Sequence, residues 1–168
     1  MQVIAEEILS GAAASVIFTS IPSGYRDLLL TVDGRSDGAA SDALVYVSFN
    51  ADFGNNYDTQ LLAGIGASAS SAEYLGLGAF LTGWLPAASA GADISSSVRI
   101  LVPSYSLTVF QKTVLSQSGR KIGTASGNLY TVEGAGYWRN TAAITEIDLF
   151  LGIGNFVTSS RATLWGLI

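Results

Sequence analysis

The stretch AAITEIDLFLG, residues 142–152, alternates apolar and polar side chains through its middle. A period of two places Thr145, Ile147, Leu149 and Leu151 on one face and Glu146 and Asp148 on the other, the pattern of a strand with a covered side and a wet side. An amphipathic helix would repeat near 3.6 residues, and no long stretch of the chain does so. The period of two recurs on either side of this stretch. C-terminal to it, SRATLWGLI (160–168) reads as a final strand whose pairing inside a sheet would tie down the chain end without a polar tail. N-terminal to it, VIFTSI (16–21) leads through Pro22, Ser23 and Gly24 into RDLLLTVDG (26–34), which puts Leu28, Leu30 and Val32 on one face and reads as a hairpin.

DALVYVSFN (42–50) sets Val45, Val47 and Phe49 opposite Leu44, Tyr46 and Ser48, a composition that predicts cover on both faces. ADFGNNYD (51–58) is turn chemistry. SVRILV (97–102) and SLTVFQKTVLS (106–116) are two further strands separated by Pro103, which is predicted to sit at a strand end because it cannot donate to a central ladder. SGRKIGTASGN (118–128) reads as a polar loop, and LYTVEGAGYW (129–138) as a strand in which Gly134 and Gly136 mark a bulge or a close backbone approach. The pattern predicts an all-β chain, a jelly-roll-like antiparallel β-sandwich of about eight strands. Residues 1–11 (MQVIAEEILSG) read as an N-terminal arm on a neighbour or an edge segment, with the arm favoured. Residues 12–168 form a single domain, with a long apolar insertion at about 60–92.

Composition narrows the chemistry. The 168 residues contain no cysteine and no histidine, which removes thiolates, disulfides, imidazole bases and the commonest transition-metal ligands. A net charge of -5 argues against nucleic acid and anionic membrane surfaces as partners. The charged fraction is 12%, against about 25% in ordinary globular domains, beside 49% hydrophobic residues. So little charge predicts that neutral surface is covered by other copies or by a larger assembly. The N-terminus has no early Lys or Arg and carries Glu6 and Glu7, so no signal peptide is read. Residues 74–92 are uncharged and long enough to span a bilayer, but their four glycines and Pro86 favour loops and short strands against a neighbour. The interface candidates in this region are Leu75, Leu77, Phe80, Leu81, Trp84 and Leu85.

Other constellations are weighed on their spacing. The G-x-G pairs beginning at Gly64, Gly76 and Gly152 never complete G-x-G-x-x-G before a helix, so they read as turn punctuation. The turns holding Asp33, Asp37 and Asp42, and Asn50, Asp52, Asn55 and Asp58, are rich in oxygen but lack EF-hand spacing. Glu146 and Asp148 are the nearest approach to a glycosidase carboxylate pair, and they read as solvated outward charges. Without histidine a Ser-His-Asp triad is impossible, and Lys112 and Lys121 lack a Ser-x-x-Lys context, Ser118 preceding Lys121 only within a glycine-rich turn. Tyr74, Trp84, Tyr105, Tyr137 and Trp138 could form a sugar platform, though packing is their commoner fate. No catalytic, cofactor or metal residue is assigned.

The block W-R-x-T-x-A-I-T-x-I-x-L (Trp138 to Leu149), followed by G-N-F-V-x-x-S-R-x-T-L-[YW]-G-[ILV] (Gly154 to Leu167), resembles a family of tailed-bacteriophage virion structural proteins. The likeness extends over about residues 16–168. It implies a non-enzymatic β-sandwich in the virion, a capsid decoration (cement) protein with itself, as a homotrimer, and the major capsid protein as partners. The alternative it implies is a tail or tail-fibre component that binds host surface glycans. The apolar character of residues 60–92 favours burial in an assembly over display towards a host.

Overall fold

The computed structural model describes residues 1–123, 125 and 127–168. Among them are twelve strands and no helix: β1 (Gln2–Ile8), β2 (Ser15–Phe18), β3 (Asp27–Gly34), β4 (Asp42–Phe49), β5 (Tyr57–Ile65), β6 (Ser68–Leu77), β7 (Phe80–Pro86), β8 (Ser96–Pro103), β9 (Lys112–Lys121), β10 (Leu129–Trp138), β11 (Ile147–Leu151) and β12 (Arg161–Leu167). An eight-stranded sheet runs β1-β12-β3-β8-β9-β10-β5-β6, and a four-stranded sheet runs β2-β11-β4-β7. All named pairings are antiparallel. The chain is a jelly-roll-like β-sandwich, with more strands than the eight or so that the sequence pattern predicts.

The two sheets close on alternate side chains. Leu28, Leu30 and Val32 of β3, Val98, Ile100 and Val102 of β8, and Leu164 of β12 meet Val45, Val47 and Phe49 of β4 and Ile147 and Leu149 of β11 in one buried core. Trp138 lies edge-on to Phe49 (5.6 Å, 60°) and stacks on Tyr57 (6.2 Å, 15°) in the same core. Burying an aromatic ring of this kind contributes about 2–3 kcal/mol. A smaller cluster of Leu61, Ala63, Leu81 and Val132 also takes in Leu44, Tyr46 and Trp84, which explains why both faces of β4 are covered.

Several expectations change. Residues 16–21 and 26–34 are not a hairpin: β2 pairs with β11, whereas β3 pairs with β12 and β8 in the other sheet. Alternation shows which face of a strand is buried but is silent about its partner. Residues 60–92 are not an insertion either, because they form most of β5 and all of β6 and β7. The first residues form edge strand β1 on β12, which is the edge segment of the two readings and not the favoured arm. Lys112 opens β9, so residues 106–111 lie outside the strand expected there, and β9 extends through residues 118–121 of the expected polar loop. Thr124 and Ser126 of that loop lie outside the described residues. Pro103 ends β8 as predicted. Gly136 sits where an added Cβ would collide with Asp58 O and the Phe80 ring, so the close-approach reading holds, and β10 keeps unbroken register on both sides. No helix among the described residues is long and apolar enough to cross a membrane.

Candidate functional site

One face of the eight-stranded sheet packs on the core, and the other carries cross-strand rows of outward side chains. The first row runs Trp165, Leu29, Leu101, Leu115, Ala135, Gln60, each residue directly opposite the next on a neighbouring strand. The second runs Thr163, Thr31, Arg99, Gln117, Glu133, Leu62. Side chains opposite one another on adjacent strands lie close enough to form a continuous surface. Between the rows is a groove of about 630 Å³ whose walls include Leu29, Leu62, Leu101, Leu115, Arg99 and Glu133. Leu62 and Leu115 are 57% and 49% exposed, far above a core leucine and enough to meet a partner directly.

The polar groups of the groove are few. Gln117 Nε2 donates to Glu133 Oε1 over 3.1 Å, which holds the one carboxylate that lines it. The Arg99 guanidinium makes no ion pair and no side-chain hydrogen bond among the described residues, leaving its planar fork available to an external acceptor. Trp165 Nε1 donates to Thr31 Oγ1 (3.1 Å), and Thr163 Oγ1 donates to Glu6 Oε2 (3.1 Å), closing the polar row at the β1 side. The floor is aliphatic, with Glu133 as its acid and Arg99 as its guanidinium among the described lining residues.

Elsewhere the residues singled out by sequence are occupied in holding the fold. Asp148 was expected to point outward but is 6% exposed and accepts from Ser48 Oγ (3.4 Å), because the four-stranded sheet is covered there as well. Thr145, expected inward, is exposed just before β11. Neither Glu146 nor Asp148 lines the groove. Lys112 is 2% exposed and donates to the carbonyls of Leu107 (2.6 Å), Phe110 (3.1 Å) and Thr141 (3.0 Å). Burial pushes its ammonium below the ordinary value of 10.5, but all three donors are spent on backbone. Ser118 faces inward and Lys121 outward, since residues three apart on a strand lie on opposite sides.

Asp37 accepts from the backbone N–H of Asn155 (2.6 Å) and from Asn155 Nδ2 (3.2 Å), and these bonds hold its carboxyl below the ordinary value. Asp42 pairs with Arg120, whose guanidinium lies 3.8 Å from the Tyr130 ring centroid and 5.7 Å from that of Trp84. Asp58 pairs with Arg139 (3.3 Å) and accepts from the Gly76 N–H (2.9 Å). Asn50 Oδ1 accepts from the backbone of Thr145 (2.9 Å) and Glu146 (3.1 Å). No group of three or more acids among the described residues is placed to hold a metal ion. Gly66 and Gly154 have φ of 57° and 68° in turns, which is the punctuating role read for the G-x-G pairs.

The interface candidates divide. Phe80, Leu81 and Leu85 are core, at 0%, 2% and 0% exposure, and so cannot meet another chain. Leu77 and Trp84 are half-buried, and Leu75 stands out from β6. Of the aromatic candidates Tyr105 and Trp138 are buried, Trp84 is committed to Arg120, and Tyr74 and Tyr137 are exposed on different strands. They form no common platform. The groove residues Leu29, Arg99, Leu101, Leu115, Gln117 and Glu133 were not singled out by sequence. Their signal lies in the unbroken runs LLL (28–30), ILV (100–102) and VL (114–115), where the outward position of each strand is aliphatic too.

No protein-family model and no curated protein sequence matches the chain. Among solved structures it is similar to the CBM40 domain of the Ruminococcus gnavus IT-sialidase bound to α2,3-sialyllactose, at 6% identity and a TM-score of 0.37, covering 97% of this chain and 92% of that one. It is also similar to the Emp47p carbohydrate recognition domain, at 11% identity and a TM-score of 0.34 over 96% of this chain and 82% of that one. A third is the PL-14 alginate lyase from Aplysia kurodai, at 11% identity and a TM-score of 0.28 over 87% and 72%. No site residue is carried over from any of them.

Proposed function

We propose that the chain is a non-enzymatic structural protein of a tailed-phage virion, a capsid decoration protein that docks on the head shell through the open face of its eight-stranded sheet. The observation that carries this reading is the groove, whose aliphatic floor has one bridged carboxylate and one guanidinium that is unpaired among the described residues. Apolar contact contributes about 25 cal/mol per Å² before association costs. It is also little affected by salt, unlike charge pairing. A surface this poor in charge is therefore suited to a permanent protein contact. The likeness of residues 138–149 and 154–167 to phage virion proteins supports the same assignment.

The test is binding of the purified chain to capsids stripped of it. Wild type is expected to rebind at copy numbers comparable with the major capsid protein. Leu115→Asp and Leu101→Asp are expected to weaken binding by at least about tenfold, with the thermal midpoint little changed because the two side chains are on the outer face. A wild type that ignores capsids, or variants that bind as it does, would overturn the assignment. Binding to host polysaccharide in place of capsids would move the chain to the tail.

A further inference from the structure

The eight-stranded sheet has two free edges, and they are built differently. β1 carries adjacent Glu6 and Glu7 and a register shift between Val3 and Ala5. Glu6 is further engaged with Thr163 (3.1 Å) and Arg161 (3.6 Å). Charge and irregularity are the usual defences of an edge against a foreign strand. β6 has neither at its centre. Residues 68–72 (SASSA) have no charge, no proline and no side chain larger than a hydroxymethyl group. Their register against β5 is uninterrupted from Tyr74 opposite Thr59 to Ser68 opposite Ile65, and all but the half-buried Ala72 are exposed. The outer row of backbone N–H and C=O groups along residues 68–75 meets no other backbone among the described residues.

We propose that β6 is the self-association edge of this protein and pairs antiparallel with β6 of a second copy about a two-fold axis at Ser71. The charge pattern selects this occupant and this register. With the axis at Ser71, Glu73 of one copy faces Ala69 of the other, which keeps the two carboxylates apart and sets each against a small neutral side chain. An axis at Ala72 would make the two carboxylates diagonal neighbours, and like charges placed opposite would be destabilising. β1 of another copy is a poorer occupant, since it would bring Glu6 and Glu7 to an edge that already carries Glu73 and would make a head-to-tail contact that closes in a ring or runs on as a filament. The trimer implied by the family resemblance needs a head-to-tail contact of that kind; the two-fold pairing gives a dimer. A two-fold axis normal to the sheet leaves both grooves on the same side, so the dimer presents two docking faces to one surface. That last consequence rests on the proposed function; the strand pairing does not.

The full chain is tested by light scattering over a concentration series and by spin labelling, for which the absence of cysteine gives a clean background. Ser71→Cys carrying a nitroxide is expected to show strong dipolar broadening in the dimer, because neighbouring strands lie about 4.8 Å apart. Ser71→Lys is expected to raise the dimer dissociation constant by at least about tenfold while leaving the thermal midpoint of the dilute protein unchanged. Val3→Lys on the opposite edge is expected to leave dimerisation intact. A wild type that stays monomeric at millimolar concentration, or an oligomer unaffected by Ser71→Lys and showing isolated spins, would overturn the pairing whatever the capsid-binding result.

Discussion

The indole Nε1 of Trp138 donates to Asp52 Oδ2 over 2.9 Å, tying the largest buried side chain of the core to the loop between β4 and β5. The same carboxylate accepts from the Gly54 N–H (2.9 Å) and from Asn56 Nδ2 (3.0 Å). Burial alone would raise its pKa, but these bonds together leave it below the ordinary 3.8. A depressed carboxylate stabilises the fold fully above its unfolded value, and the contribution is lost as pH falls through the folded value. Stability is therefore expected to drop below about pH 3.8, and Asp52→Asn is expected to flatten that acid limb in urea titrations. Asp52→Ala is expected to cost about 1–3 kcal/mol at neutral pH.

Tyr57 governs the alkaline side. Its hydroxyl donates to Asp52 O (2.9 Å) and accepts from the Phe49 N–H (2.9 Å), and burial raises its pKa well above the ordinary 10.0 despite the bond from Phe49. The folded chain holds this proton where an unfolded tyrosine releases it, so the stabilisation is complete below pH 10.0 and declines as pH rises above it. Tyr57→Phe is expected to lose about 1–2 kcal/mol at pH 7 and to show a shallower alkaline decline, read by thermal melts from pH 8 to 11.

Arg35 is a second internal clamp. Its guanidinium donates to the carbonyls of Gly91 (2.7 Å), Ile94 (3.2 Å), Ala87 (2.9 Å), Ala88 (3.3 Å) and Ala90 (3.0 Å), folding the segment after β7 around one cation. Arg35→Ala is expected to destabilise by about 2–3 kcal/mol and to speed amide exchange in residues 87–94. Arg35→Lys is expected to recover less than half of the loss, because an ammonium cannot span carbonyls spread around a planar fork.

Two glycines on neighbouring strands give opposite expectations. Gly136→Ala would drive a methyl group into Asp58 O and the Phe80 ring, and is expected to cost more than about 4 kcal/mol or to prevent soluble expression. Gly119→Ala meets nothing closer than Tyr130 O at 3.9 Å and is expected to stay within about 0.5 kcal/mol of wild type in a denaturant midpoint assay.

The strands legible in the sequence are those whose inward row is apolar at every second position: Leu28, Leu30 and Val32 of β3, Val45, Val47 and Phe49 of β4, Val98, Ile100 and Val102 of β8, and Ile147 and Leu149 of β11. The row is visible whether the opposite face is wet, as along β8, or covered too, as along β4 and β11. β6 gives no strand signal because residues 68–75, exposed but for the half-buried Ala72, meet no core on either face and have no reason to alternate. The pattern of residues 1–11 leaves arm and edge strand open for a similar reason, since the burial of β1 never exceeds half-covered. Phe80, Leu81 and Leu85 looked like interface residues because an uncharged stretch reads the same whether the chain covers it or a neighbour does. The groove was hidden differently: its residues come from four strands, and only the register of β3, β8, β9 and β10 brings Leu29, Leu101, Leu115 and Ala135 into one line.

β12 lies between β1 and β3, and the pairing reaches from Gln2 to Gly166. While the polypeptide is being synthesised, those two flanking strands must wait with a gap one strand wide until the last of the twelve arrives. The sheet is thus completed by an insertion at its inside, a closure that long sequence separation makes slow. Newly made molecules therefore spend an interval with two additional unpaired backbone rows, and ageing of that intermediate is expected to decide how much product escapes aggregation.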